Sequence, residues 1–364
     1  MNFFEHQNRA RRQSRWLIGA FLLAAAAVIV AVDFIVLIFL GVSPGTSDMG
    51  TAVSAQSWLD PDFINANLDI LVLTSVATGG TIGLASLFKM VSLRSGGGKI
   101  ASSMGGTRVD ADTRDPLARR LRNVVEEIAI ASGVPVPEIY VLEEEAGINA
   151  FAAGYSPSDA AVAVTRGTLE KLSRAELQGV IAHEFSHILN GDMRINIRLM
   201  GLLFGILLVS IVGRHIMYSA RFMGGSRRKE GGGIVMVGIL LLVVGYAGLF
   251  LARWIKAALS RQREYLADAS AVQFTRNPDS IAGALKKIGA YSSGSYLEAE
   301  SEEIGHMLFG PGVQAMMFST HPPLAQRITR VDPQFKPSDI DELGANLAQN
   351  ERRERELAIK EMEA

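Results

Sequence analysis

The chain has 364 residues, of which 48% are hydrophobic, with a mean hydropathy of +0.21 and a formal net charge of −1. Such an apolar composition departs from that of an ordinary soluble domain, and the balanced charge gives no reason to expect nucleic acid as a partner. No cysteine is present, which fits a reducing compartment and excludes disulfides and thiolate ligands; any metal site must be built from histidine and carboxylate.

Residues 1–92 read as a membrane region with two spans. Arg9, Arg11, Arg12 and Arg15 precede an apolar run from Trp16 to Val42. That run is too long for a signal peptide and is followed by a second, Leu68 to Leu87, so it reads as a retained transmembrane helix. Asp33 interrupts it and reads as a carboxyl buried against another span or lying near the far interface, rather than as a transport group. The loop from Ser43 to Asn67 has no Lys or Arg but carries Asp48, Asp60 and Asp62, whereas Lys89 and Arg94 follow the second run. The positive-inside bias then places the N-terminus and everything after the second span in the cytoplasm.

The stretch Ser95 to Thr107 is rich in Gly and Ser. It is not a phosphate-binding loop, because Gly98-Lys99 is followed by Ile100 and no strand precedes it, so residues 93–113 are expected to be a flexible linker. Residues 114–198 open a soluble part. Asp115-Pro116 starts a helix with apolar positions Leu117, Leu121, Val124, Val125 and Ile128; short strands are expected at Glu138 to Leu142, Gly147 to Gly154 and Ala160 to Val164. Ser173-Arg-Ala-Glu176 then forms a capping box, Leu177, Val180, Ile181 and Ile188 give an apolar helical stripe, and Gly191 is a stop.

That helix carries His183-Glu-Phe-Ser-His187, an H-E-x-x-H pattern. Residues four apart on a helix share a face, so the two imidazoles can bind one metal ion with Glu184 beside it, which is a zinc-hydrolase signature. Residues 199–252 follow as a hydrophobic hairpin. Its first run, Leu199 to Val212, is short unless Arg214 snorkels; its second, Ile234 to Ala252, is full length. The connecting loop carries Arg214, Arg221, Arg227, Arg228 and Lys229, which conflicts with the charge bias if both runs span, so two spans and a re-entrant hairpin both stay open. Residues 253–332 read as helical, with Glu264 and Asp268 on one helix face, and 333–364 as a charged tail, either a solvated helix or a disordered extension.

A catalytic zinc takes three protein ligands and leaves one position for water. With no cysteine, the third ligand must come from His6, His215, His306, His321 or a carboxylate. Glu264 and Asp268, four apart, stand out: one could bind the metal and the other accept an imidazole N–H. An ordinary charged face beside Arg261 and Arg263 is the competing reading.

Together His183-Glu-Phe-Ser-His187 with Asn190-Gly-Asp192, Ser260-Arg-Gln-Arg-Glu-Tyr-Leu-Ala-Asp268 and Ser319-Thr-His-Pro-Pro-Leu-Ala-Gln-Arg-Ile328 resemble the HtpX-type membrane zinc metalloproteases, relatives of the CAAX prenyl proteases. The resemblance runs from about Leu117 to Val331. It implies a mainly α membrane protein in which a zincin-like metalloprotease domain with a small β-sheet follows two transmembrane helices and holds a hydrophobic hairpin between its zinc motifs. It further implies one Zn2+ per subunit on His183, His187 and Glu264, Glu184 as general base, and Asp268 behind the ligands. His321 or Arg327 would stabilise the oxyanion or hold substrate, and Asn149, Ala150, Phe151 and Ala152 resemble the edge strand to which an extended substrate adds. The implied partners are the lipid bilayer and protein or peptide substrates, with misfolded inner-membrane proteins cut in quality control from the cytoplasmic side. Three rival readings remain. An intramembrane protease would place the H-E-x-x-H inside an apolar span, but Arg174, Glu176, Gln178, Asn190, Asp192 and Arg194 flank it. A prenyl-protein protease resembles a larger multi-span chamber. A non-enzymatic scaffold or holdase would close its zinc site with a fourth ligand.

Overall fold

A computed structural model describes residues 3–42, 60–222, 228–292 and 321–363. Residues 43–59 of the expected loop from Ser43 to Asn67 and the tip of the basic hairpin loop at 223–227 lie outside these, as do residues 293–320. The chain forms two compact units, one of residues 16–93 and 196–256, the other of residues 1–15, 94–195 and 257–364.

Among the described residues, four helices are long and apolar enough to cross a membrane, and most of their length makes up the first unit. They are α1 (Phe3–Val42), α3 (Leu68–Ser92), α8 (Asp192–Phe222) and α9 (Arg228–Thr275), and a short α2 (Pro61–Ala66) capped by Asp60 precedes α3. Leu22, Leu23, Leu73, Leu84 and Phe88 are exposed, the pattern of side chains that meet lipid. Inside the unit the helices approach closely at small residues: a Cβ on Gly205 would lie 2.4 Å from the Ile82 carbonyl oxygen of α3, and one on Gly245 of α9 would lie 2.5 Å from Ser210 N of α8. Asp33 accepts a hydrogen bond from Ser75 Oγ at 2.5 Å, so the carboxyl is held against a neighbouring span. The third apolar run is not short: α8 continues through an exposed Arg214, and by length both arms of the hairpin can cross.

The second unit is organised on a four-stranded sheet, β1 (Gly106–Arg108), β2 (Glu138–Leu142), β3 (Ala150–Ala153) and β4 (Ala161–Thr165), in the order β1-β2-β4-β3. β2 and β4 are parallel, with Glu138 opposite Ala161; β1 and β3 run antiparallel to their neighbours. Side chains alternate across a strand, and the two faces are therefore separate cores. Ile139, Val141, Ala150, Ala152, Val162 and Val164 join a core shared with α5 (Pro116–Ser132), α7 (Arg174–Asn190) and α10 (Pro278–Ser292). Tyr140, Leu142, Phe151, Ala153, Ala161 and Ala163 instead pack on Ala101 of α4 (Gly97–Ser103).

The Gly/Ser-rich stretch is therefore not a flexible linker, as the composition suggests, but a helix and an edge strand of the sheet. A Cβ on Gly97 would lie 2.4 Å from the Ala153 carbonyl oxygen and 2.5 Å from Ala161 N, so glycine is what lets α4 lie directly on the strands. The charged tail is likewise partly anchored. Phe335 is buried in the main core, and α12 (Ser338–Glu363) sets Ile340 against Gly289 of α10.

The site helix α7 begins and ends as its sequence dictates. Ser173 accepts from the backbone N–H of Glu176, whose side chain reaches back to the Ser173 N–H, and Gly191 ends the helix in the left-handed region at φ 68°. Gly179 sets the α7–α10 spacing, because a Cβ there would lie 2.6 Å from Ile281 N and from the Ser280 carbonyl carbon. Those atoms are backbone and cannot swing away. Gly179→Ala is expected to cost about 1–3 kcal/mol, read as a lower unfolding midpoint of the detergent-solubilised protein.

Candidate metal centre

His183 and His187 project from α7, and Glu264 from α9 after the chain has passed through the hairpin. The three offer ligand atoms that all lie within 4.8 Å of one another. His183 Nε2 and His187 Nε2 are 3.1 Å apart, and each is 3.6 Å from a Glu264 carboxylate oxygen. Tetrahedral coordination with zinc–ligand bonds of about 2.0–2.1 Å separates ligand atoms by about 3.3 Å, so the spacing suits that ion.

The tautomers point the same way. His183 Nδ1 lies 2.9 Å from Asp268 Oδ1, and His187 Nδ1 lies 2.8 Å from Asp192 Oδ2. Each Nδ1 can donate its N–H to a carboxylate, which turns the Nε2 lone pairs inward, toward one another and toward Glu264. Two lone pairs and a carboxylate converging in a buried space need a cation or protons at their centre. Burial disfavours a charged His187, but Asp192, Glu264 and Glu184 outweigh it and push the imidazole up to about 9. Burial likewise opposes a charged His183, while Asp268 and Glu264 raise it. Glu184 is pushed up by burial, against the opposing pull of His187 and His183.

Asp268 and Glu264 share one counter-ion. Arg327, on α11 (Leu324–Val331), is fully buried; its Nε and Nη2 donate to Asp268 at 2.9 and 2.7 Å, and its Nη1 lies 3.0 Å from Glu264 Oε2. A guanidinium so placed bridges both carboxylates from a buried position. His321 is partly exposed, and its Nδ1 lies 3.1 Å from Glu264 Oε2, at the rim of the cluster. All three sequence motifs thus converge. Among the described residues the cluster offers three ligands.

The Asn149–Ala152 segment enters β3, which among the described residues pairs with β4 alone. Asn149 is locked at the strand's start: its N–H lies 3.0 Å from Thr165 Oγ1 and 2.7 Å from Thr168 Oγ1, and its Oδ1 accepts from Ala150 N. β3 packs on α7, which brings the edge strand beside the histidine helix.

Sequence reasoning missed Asp192 and Arg263. Asp192 stands just past the left-handed Gly191, whose turn carries the carboxylate back onto His187. Arg263 Nη2 lies 2.5 Å from Asp192 Oδ1. The available signals were the Asn-Gly-Asp triplet and an arginine adjoining the glutamate ligand.

Residues 116–334 match peptidase family M48. The chain is similar to a "Protease HtpX homolog" of Thermoanaerobacter pseudethanolicus, 40% identical over 217 residues that cover 58% of this chain and 70% of the relative. A protein of the same description from Listeria monocytogenes is 34% identical over 293 residues, covering 78% of this chain and 91% of the relative. Among solved structures, Ste24p of S. mikatae aligns with a TM-score of 0.44 at 16% identity, over 91% of this chain and 89% of that one. Because the M48 match covers more than half of the sequence and takes in every residue of the buried cluster, the chain belongs to peptidase family M48.

Proposed function

We propose that this membrane metalloprotease holds one zinc ion on His183, His187 and Glu264 and cleaves misfolded membrane proteins in quality control, working on the cytoplasmic side of a bacterial inner membrane. The observation that carries the reading is the convergence of three ligand atoms whose spacing and tautomers suit zinc. Bound zinc supplies Lewis-acid polarisation of the scissile carbonyl and lowers the pKa of the attacking water. Glu184 takes the proton from that water and delivers it to the leaving amine. His321, at the rim, donates to the developing oxyanion. An extended peptide adds to β3 on the side away from β4; because such pairing reads backbone more than side chains, it suits substrates united by being unfolded rather than by sequence. The cytoplasmic assignment rests on the arginines before α1 and on Lys89 and Arg94 after the second apolar run.

The test is cleavage of an unfolded membrane protein by the purified, detergent-solubilised chain. Chelation is expected to abolish cleavage, stoichiometric zinc to restore it, and a folded form of the same substrate to resist. In inverted inner-membrane vesicles the C-terminal tail should be accessible to a membrane-impermeant label. Cleavage that survives complete metal removal would refute the assignment.

A further inference from the structure

The metal cluster is backed on its His187 side by a second carboxylate–arginine pair, which nothing in the general mechanism requires. Asp192 Oδ2 lies 2.8 Å from His187 Nδ1, its Oδ1 lies 2.5 Å from Arg263 Nη2, and Arg263 Nη2 also donates to the Asn190 carbonyl oxygen at 3.2 Å. Asp192 and Arg263 are both buried. The arrangement parallels the His183–Asp268–Arg327 chain on the other side of the cluster. Each ligand histidine is thus oriented by a carboxylate that is itself fixed by a buried guanidinium.

We propose that Asp192 and Arg263 are positioning residues that hold His187 in its metal-binding tautomer and, through it, couple metal occupancy to the stems of the membrane hairpin. Asp192 is the first residue of α8, and Arg263 lies on α9 next to Glu264. The ion pair therefore joins the two helices that lead into and out of the apolar segment, at the point where both reach the ligands. Its contact with the Asn190 carbonyl also satisfies the C-terminal end of α7. Metal on His187 favours the Nδ1–H tautomer that Asp192 accepts; by reciprocity an intact Asp192–Arg263 pair favours metal. The inference rests on the metal reading above.

The test uses the full-length protein in detergent, stripped of metal, with zinc affinity measured by competition with a chromogenic chelator. Asp192→Asn is nearly isosteric, but its amide can turn an N–H toward His187 Nδ1 and impose the Nε2–H tautomer, which has no lone pair for the metal. Asp192→Asn and Arg263→Met are each expected to weaken zinc binding about tenfold to a hundredfold. Arg263→Lys, which keeps the charge but loses the planar fork, should fall between these and the wild type, and Arg261→Met on the same helix should match the wild type. In the wild type, zinc should slow backbone hydrogen exchange at residues 188–195 and 257–264; in Asp192→Asn this slowing should be lost. Variants that bind zinc as tightly as the wild type would overturn the proposal. So would a loss of affinity no larger than the loss of metal-free stability accounts for. His187→Ala separates the two levels: if it too binds zinc normally, the metal reading itself fails.

Discussion

Glu184→Gln is expected to lower kcat by about 10²–10⁴-fold while leaving zinc content and thermal stability close to those of the wild type. The buried carboxylates around the ligands, Glu184, Asp192, Glu264 and Asp268, differ in what already holds them. Glu264 is engaged by Arg327 and His321, and Asp268 by Arg327 and His183. Among the described residues no hydrogen bond or ion pair holds the Glu184 carboxylate, although the residue is 3% exposed. A carboxylate with no counter-ion of its own, lifted by burial above the ordinary range, is suited to accept a proton and to return it. The amide keeps the shape and loses the proton chemistry, so KM should change little. Steady-state cleavage of a fluorogenic unfolded substrate, with metal measured on the same samples, decides the matter. A variant that keeps most of its turnover would remove Glu184 from the chemistry.

Local rules wrote much of this fold into the sequence. The α7 capping box, the Asp115 cap with Pro116 behind it and the β2 strand all form where short-range chemistry places them, because each depends on residues within a turn of one another. The Ser95–Thr107 stretch defeated the same logic. Its glycines signal flexibility when read alone, but Gly97 is there for close approach to β3 and β4, strands more than fifty residues further on. The third apolar run looked short because Arg214 interrupts its hydropathy, and a helix does not end at a side chain that can stay exposed.

The site was legible to the extent that its chemistry is helical. Spacing of four paired His183 with His187 and Glu264 with Asp268, the metal's need for a third ligand left several candidates, and the resemblance to a known family singled out Glu264. Arg327 and Asp192 were harder. An arginine after His-Pro-Pro reads as a group that holds substrate or the oxyanion, and only the packing of α11 against the ligands shows its guanidinium at 0% exposure, paired with Asp268 and Glu264. Asp192 faces His187 through the left-handed backbone at Gly191, a turn that helical spacing does not describe.

Arg327→Leu is expected to cost the metal-free protein about 3–5 kcal/mol of stability. The guanidinium makes two contacts to Asp268 and one to Glu264, all at 3.0 Å or less, and burial alone would disfavour its charge. Both carboxylates hold it in the charged form, and removing it leaves two buried anions with histidines as their remaining counter-charges. Zinc should restore part of the loss, since the metal neutralises Glu264 directly, while Asp268 keeps only its hydrogen bond to His183. The variant should therefore depend on zinc for stability more than the wild type does, and Arg327→Lys, with one ammonium in place of a three-nitrogen fork, should lie between them. Denaturant unfolding with and without saturating zinc reads both quantities. Equal metal-free midpoints for Arg327→Leu and wild type would show that the buried carboxylates are neutralised by something other than Arg327.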